Sequence, residues 1–327
     1  MRPHETLRGG KPLLLAGPAR GQRGLSRVVV GMDFSLGSEF ALARALRLPL
    51  GHGATFSVLH ASPPLDGRDG PDGTLPADRC LRRAVASACR RLRGRVDVEV
   101  CEAARQGEAA EVVAALADEL GAELVVVGRP HVTYPVRELA MDSLVRRLVR
   151  RAGTSVLVVV PHPARAYQRP LVAVNFSRES RRALELTLRL CPSSAVVDVL
   201  HVVDAREEEK ALGENGARGE RRLLLRQERE SAARAALVRF LAPYREIGRT
   251  LQLRVRWGEP SEGILAESLD QGSDLLAVGM SSAEARTPMT ERVLARAPCD
   301  VLVSRHLRTL VHPGEGGLED LTGAPHA

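Results

Sequence analysis

Short apolar runs alternate with amphipathic stretches along this chain. Val28-Val29-Val30 is a β-branched run of the kind a strand buried on both faces shows. Asp33-Phe34-Ser35 ends it, and Ser35 is placed to cap a helix over 36–48. Phe40, Ala41, Ala43, Leu46 and Leu48 fall on one face of that helix. A second strand is predicted over 56–61. Pro63, Pro64, Gly67, Gly70, Pro71 and Gly73 make 62–77 a loop. A helix over 79–93, an alternating strand over 95–101 and a helix over 108–120 stopped by Gly121 follow. The all-apolar strand 124–127, a helix over 143–151 and a strand over 155–160 complete the first half. Strands alternating with helices imply right-handed crossovers and a parallel sheet covered on both faces.

The second half repeats the first. RVVVGMDFSLGSEFALARALRL at 27–48 is echoed by RPLVAVNFSRESRRALELTLRL at 169–190, an offset of 142. GEAAEVVAALADELGAELVVVG at 107–128 returns at 258–279 with an offset of 151, and RRAGTSVLVV at 150–159 returns at 295–304 with an offset of 145. Three blocks in the same order mean two copies of one domain. The domains are assigned to 25–161 and 168–306, with 161–168 as linker and 1–24 and 307–327 as mobile tails. Strands of the second copy are predicted near 170–175, 196–202, 251–256, 274–278 and 300–303, with a long charged helix over 218–241. The segment 204–220 has no counterpart in the first copy. It is polar throughout and reads as a solvated loop.

Composition narrows the function classes. Of 327 residues, 44% are hydrophobic and 27% charged, which fits a globular protein. No apolar run is long enough to span a membrane, and Leu13-Leu14-Leu15-Ala16 is too short for a signal peptide, so a cytoplasmic location is expected. Cys80, Cys89, Cys101, Cys191 and Cys299 show no paired spacing, so they are read as reduced and mostly buried. The net charge is +7, and lysine occurs only at 11 and 210. Arginines are interleaved with Glu and Asp, and aromatics are only 3%, which argues against a base-stacking nucleic-acid platform. The arginine-rich stretches to test are Arg90, Arg91, Arg93 and Arg146, Arg147, Arg150, Arg151.

Taken together, the doubled strand-Asp/Asn-Phe-Ser-helix motif, the strands ending in Leu-His, the Asp/Glu-Leu-rich strand ending in Gly, and ERVLARAPCDVLV at 291–303 resemble the universal stress protein family. The resemblance implies an α/β fold of two repeated, doubly wound, five-stranded parallel-sheet domains of nucleotide α-hydrolase-like type, with strand order 3-2-1-4-5. It also implies pairing through the last strand. A tandem chain could join 155–160 to 300–303 as an internal pseudo-dimer, and further homodimerisation stays open. In such a sheet, the first and fourth strands form a switch point where ligands bind beyond the carboxyl ends. An adenine nucleotide there would meet Asp33, Phe34 and Ser35 on one side. Gly128, Arg129, His131 and Ser143 would lie near its phosphates.

The phosphate loop departs from the family's Gly-x2-Gly-x9-Gly-Ser/Thr pattern. Gly128 and Ser143 are kept, but His131 and Asp142 stand where the other glycines belong. Arg129, His131 and Arg137 could offset the Asp142 charge. In the second copy Asn175 replaces the Asp, the loop after Gly279 is six residues shorter, and Thr287-Pro288 falls at the Gly-Ser position. Ser281 and Ser282 read as a helix cap. His60 and His201 end matching strands and are read as bonded to local backbone. No nucleophile elbow, P-loop or metal-binding helix motif appears, so no catalytic or metal residue is assigned. The expected role is a cytoplasmic stress-response factor acting through a protein partner, with nucleotide binding reduced or absent and either no cofactor or ATP. The alternatives are an ATP-sensing regulator that binds in the first domain only, and a nucleic-acid-associated basic protein.

Overall fold

The computed structural model describes residues 13–15, 24–62, 76–93, 99–129, 144–204, 219–245, 248–280 and 288–305. The first half runs β1 (Leu13–Leu15), β2 (Leu25–Met32), α1 (Leu36–Ala45), β3 (Leu50–Ser62), α2 (Pro76–Leu92), β4 (Glu99–Gln106), α3 (Ala109–Glu119), β5 (Leu124–Gly128), α4 (Val145–Arg151) and β6 (Ser155–Val159). The second half runs β7 (Pro170–Ala173), α5 (Arg178–Leu190), β8 (Val196–Val203), α6 (Gly219–Leu241), β9 (Arg249–Trp257), α7 (Pro260–Gln271), β10 (Leu275–Gly279), α8 (Pro288–Arg296) and β11 (Asp300–Ser304).

All strands join one sheet in the order β1-β9-β8-β7-β10-β11-β6-β5-β2-β3-β4. Each half therefore has the expected 3-2-1-4-5 order, wholly parallel within itself. The halves meet where β11 pairs antiparallel with β6, setting Val301 opposite Val158, Leu302 opposite Leu157 and Val303 opposite Val156. This is an internal pseudo-dimer, and it leaves neither fifth strand with an open edge.

Strand alternation sends side chains to two cores. Val28, Val30, Phe56, Val58, Leu124 and Val126 face α1 and α2, while Val29, Leu59, Val125 and Val127 face α3 and α4. Each core continues across the seam. Leu157 and Leu302 lie in the first, and Val156, Val158, Val301 and Val303 in the second.

Three expectations need correction. The third strand, expected to end at 101, runs over Glu99–Gln106, with 95–98 outside the described residues. It has β3 alone as a described neighbour, and such a position tolerates its polar residues. Leu13–Leu15, inside a presumed tail, pairs antiparallel with Arg249–Leu251 at the other end of the sheet. Only Cys191 and Cys299 are buried; Cys89 and Cys101 are half-buried and Cys80 is exposed. One linker residue reaches the core: the Tyr167 side chain is buried and its hydroxyl donates to Asp300 Oδ2 at 2.7 Å. The segment 204–220 lies almost wholly outside the described residues. No helix among the described residues is long and apolar enough to cross a membrane.

Candidate functional site

The β2 and β5 strands are neighbours in register, Val28–Val30 against Leu124–Val126, so their carboxyl ends open side by side. Asp33 follows β2. Its Oδ1 accepts from the Ser35 N–H at 3.0 Å and the Ser35 hydroxyl at 2.6 Å. Ser35 caps α1 by accepting from the Ser38 N–H at 3.2 Å. Partial burial works to raise the Asp33 pKa. The hydrogen bonds from Ser35 and Ser38 outweigh it, and the net shift is downward. Asp33 is therefore a carboxylate at neutral pH.

Between them Phe34 sits in the left-handed region at φ 60°, a conformation costly for a bulky residue. Its ring lies 4.6 Å from that of His60. His60 Nδ1 donates to the Met32 carbonyl at 2.8 Å, which ties the end of β3 to the end of β2. The second half repeats this turn. Asn175 Oδ1 accepts from the Ser177 N–H and hydroxyl at 3.2 and 2.6 Å, Phe176 has φ 65°, and His201 Nδ1 donates to the Val174 carbonyl at 2.8 Å. The histidines thus brace neighbouring strands. The two turns differ in charge, because Asn175 is neutral where Asp33 is ionised.

Gly128 has a packing role. A Cβ there would lie 2.2 Å from the Gly37 carbonyl carbon, so the end of β5 rests on the first turn of α1. Gly279 does the same against Ser180 N, at 2.3 Å. Arg129, expected beside phosphates, turns across the seam. It is 4% exposed, and its Nη1 donates to the Ala297 carbonyl at 2.8 Å and the Leu294 carbonyl at 3.4 Å. A cation there satisfies the carbonyls at the C-terminal end of α8. The structure therefore brings Asp33, Phe34, Ser35 and Gly128 together and engages Arg129 with the other half. His131, Ser143, Asp142 and Arg137 lie outside the described residues, as do Ser281, Ser282 and Thr287.

The arginines of α4 are matched by carboxylates. Arg146 and Arg150 pair with Glu291 of the other half, Arg147 with Glu108 and Arg151 with Glu111. That face offers little uncompensated charge to a phosphate backbone. Among the described residues no group of three or more His, Cys, Asp or Glu could hold a metal ion.

A buried cluster at the seam was not legible in the sequence. Asp300 Oδ2 sits 2.8 Å from Arg44 Nε and accepts the Tyr167 hydroxyl. Asp300 Oδ1 accepts from the Val160 N–H at 2.9 Å and lies 3.2 Å from His162 Nε2. The Arg44 guanidinium stacks 4.3 Å over the Tyr167 ring. One signal pointed there. Arg44 stands between Ala41, Leu42 and Ala45 on the buried face of α1, where an arginine requires a partner.

Among curated proteins none is similar to this chain in sequence. A universal stress protein from Archaeoglobus fulgidus DSM 4304 has a similar solved structure, with 14% identity, 85% of this chain and 96% of that chain covered, and a TM-score of 0.58. A functionally unknown protein from Pseudomonas aeruginosa PAO1 is similar at 17% identity, with 86% and 92% covered and a TM-score of 0.56. At these identities both likenesses speak to the fold. The description "universal stress protein family" matches the sequence twice, over residues 24–160 and 166–305. With two matched domains, the strand order of each half and the paired fifth strands, this chain belongs to the universal stress protein family.

Proposed function

We infer that this protein is a tandem stress-response factor of the cytoplasm that acts through protein contacts, with nucleotide binding reduced or lost. The observation that carries this reading is Arg129. The residue that follows the first glycine of the phosphate loop is buried and bonded to the carbonyls ending α8. A guanidinium so engaged is not available to a phosphate unless the seam opens. Asn175 in the second half supports the same reading, because it removes the charge that Asp33 keeps. The pairing of the α4 arginines with glutamates speaks against the nucleic-acid alternative.

The second reading is an ATP sensor working in the first domain only. The ionised Asp33 beside the N-terminus of α1 favours it. The test is to denature the purified protein, analyse released nucleotides by chromatography, and titrate the apo protein with ATP by calorimetry. No nucleotide and no heat at millimolar ATP is the expected result. Co-purified adenine nucleotide, with ATP binding lost in Asp33→Ala, would establish the sensor instead.

A further inference from the structure

The two halves differ in chemistry on one face of the first helix of each repeat. Ser35 and Ser177 cap α1 and α5 in the same way, which fixes the alignment of the two helices. At three positions on one face α5 carries polar residues, the exposed Arg178 and the half-buried Arg182 and Glu185. The same positions in α1 are Leu36, Phe40 and Ala43. They follow each other at helical spacing, and Leu36 is 53% exposed.

The helix opposite has changed in the reverse direction. Aligning α2 with α6 on their buried Leu92 and Leu241 puts Arg91 where Phe240 stands. In the second half Phe240 closes the space. Its ring meets Phe176 edge-on at 5.8 Å and lies under the Arg181 guanidinium at 4.5 Å. Tyr244 fills in behind it, donating to Glu185 at 2.9 Å. In the first half, a groove of about 870 Å³ stays open between α1 and α2. A second hollow of about 660 Å³ shares Ala43, Leu46 and Arg91 with it and reaches Ala166 of the linker. The α1 wall is apolar except for Glu39, and the α2 wall carries Arg83, Arg90 and Arg91. Glu39 is the one acidic residue among the described lining, so the wall charge is positive. From Leu36 to Leu46 the groove follows α1 for about 15 Å, the rise of ten helical residues. That is close to the length of an extended dodecyl chain.

We propose that this groove is a binding site for a free, single-chain amphiphile with an anionic head, in the class of a long-chain carboxylate. The chain lies along Leu36, Phe40 and Ala43, and the head meets the α2 arginines. An apolar wall facing clustered guanidinium groups suits that chemistry, because carboxylates are bound by arginine forks. A cation would be repelled, and an uncharged alkane would leave the arginines unused. The groove lies between two helices and uses neither Asp33 nor Gly128; among the described residues it shares only Phe34, at its end, with the expected nucleotide site.

The probe is dodecanoate, kept below its micelle concentration and titrated into the full-length protein by calorimetry. Saturable binding at one site per chain is expected, with none for decyltrimethylammonium. The double variant Phe40→Arg/Ala43→Glu copies the residues of α5 and should fold, which a thermal melt checks. It and Arg90→Glu/Arg91→Glu should each bind about tenfold more weakly or worse, the loss expected of one charged contact or more. No saturable binding at millimolar dodecanoate, or unchanged affinity in both variants, would overturn the proposal. So would retention on phosphatidylglycerol vesicles, or binding of an acidic Glu/Leu amphipathic peptide, when free dodecanoate does not bind.

Discussion

Leu157 and Leu302 hold the same position in the two repeats and lie directly opposite each other in the sheet. Val156 faces Val303 and Val158 faces Val301, each the partner of the other's equivalent. The pseudo-twofold axis that relates the halves therefore passes between these two leucines. Both are wholly buried, so the axis runs through the middle of the core.

The seam depends on Asp300. Arg44 and Asp300 have side chains 3% and 0% exposed, and removing one partner leaves a buried charge without its counter-ion. Asp300→Ala is expected to cost about 3–5 kcal/mol of stability, read as a lower denaturation midpoint in urea. Adding Arg44→Met to that variant should recover part of the loss, because no buried cation then remains. A double variant as unstable as the sum of the singles would show that the pair is not coupled.

The same cluster predicts a pH dependence. His162 Nε2 faces Asp300 and its Nδ1 faces the Pro163 carbonyl at 3.2 Å, so both nitrogens meet acceptors and the cation is favoured. The Asp300 interaction, against burial and the nearby Arg44, raises its pKa above the ordinary 6.5. A raised folded-state value means the contribution is fully present below about 6.5 and is lost as pH rises through the folded value. Stability should fall over that window, and His162→Gln should flatten the fall. An equal slope in the variant would assign the dependence elsewhere.

Arg129 separates the two functional readings. As a cap on the carbonyls of α8 it should contribute up to about 2 kcal/mol, so Arg129→Met should lower the unfolding midpoint and leave nucleotide affinity unchanged. A loss of ATP affinity with stability intact would instead make it a phosphate ligand.

Gly128→Ala tests whether the glycine serves packing. A methyl group 2.2 Å from the Gly37 carbonyl carbon forces β5 and α1 apart. A loss of about 1–3 kcal/mol is expected, as for other overpacked sites, and Gly279→Ala should match it. If neither substitution affects the melt, the strand–helix contact is looser than its geometry implies.

The sequence carried most of the fold because β2, β5 and their copies are covered on both faces. Such strands must be apolar at every position, and Val28–Val30 and Leu124–Val127 show it. The stretch of β4 beyond 101 leaves no hydrophobic pattern, because a strand with one described neighbour tolerates Glu102, Arg105 and Gln106. The turns at Asp33 and Asn175 were legible, since a side chain bonding two residues ahead is local chemistry. Arg129 was not. Its partner lies more than 160 residues away in the other half, and nothing in its neighbours tells which face of which domain it will meet. Tyr167 was missed for the same reason. A short polar linker gives no hint that one ring will be buried by a distant carboxylate.

A chain that carries both halves escapes a constraint that binds any assembly of identical subunits. Across a true dyad, every residue is written twice, so a substitution that suits one side is imposed on the other. Here Asp300 and Ser155 are equivalents across the axis, yet one anchors Arg44 and Tyr167 while the other is a hydroxyl beside Ser304. Fusion thus turns a symmetric joint into a lock with a distinct left and right side. Because the two sides are tethered, it closes at any protein concentration.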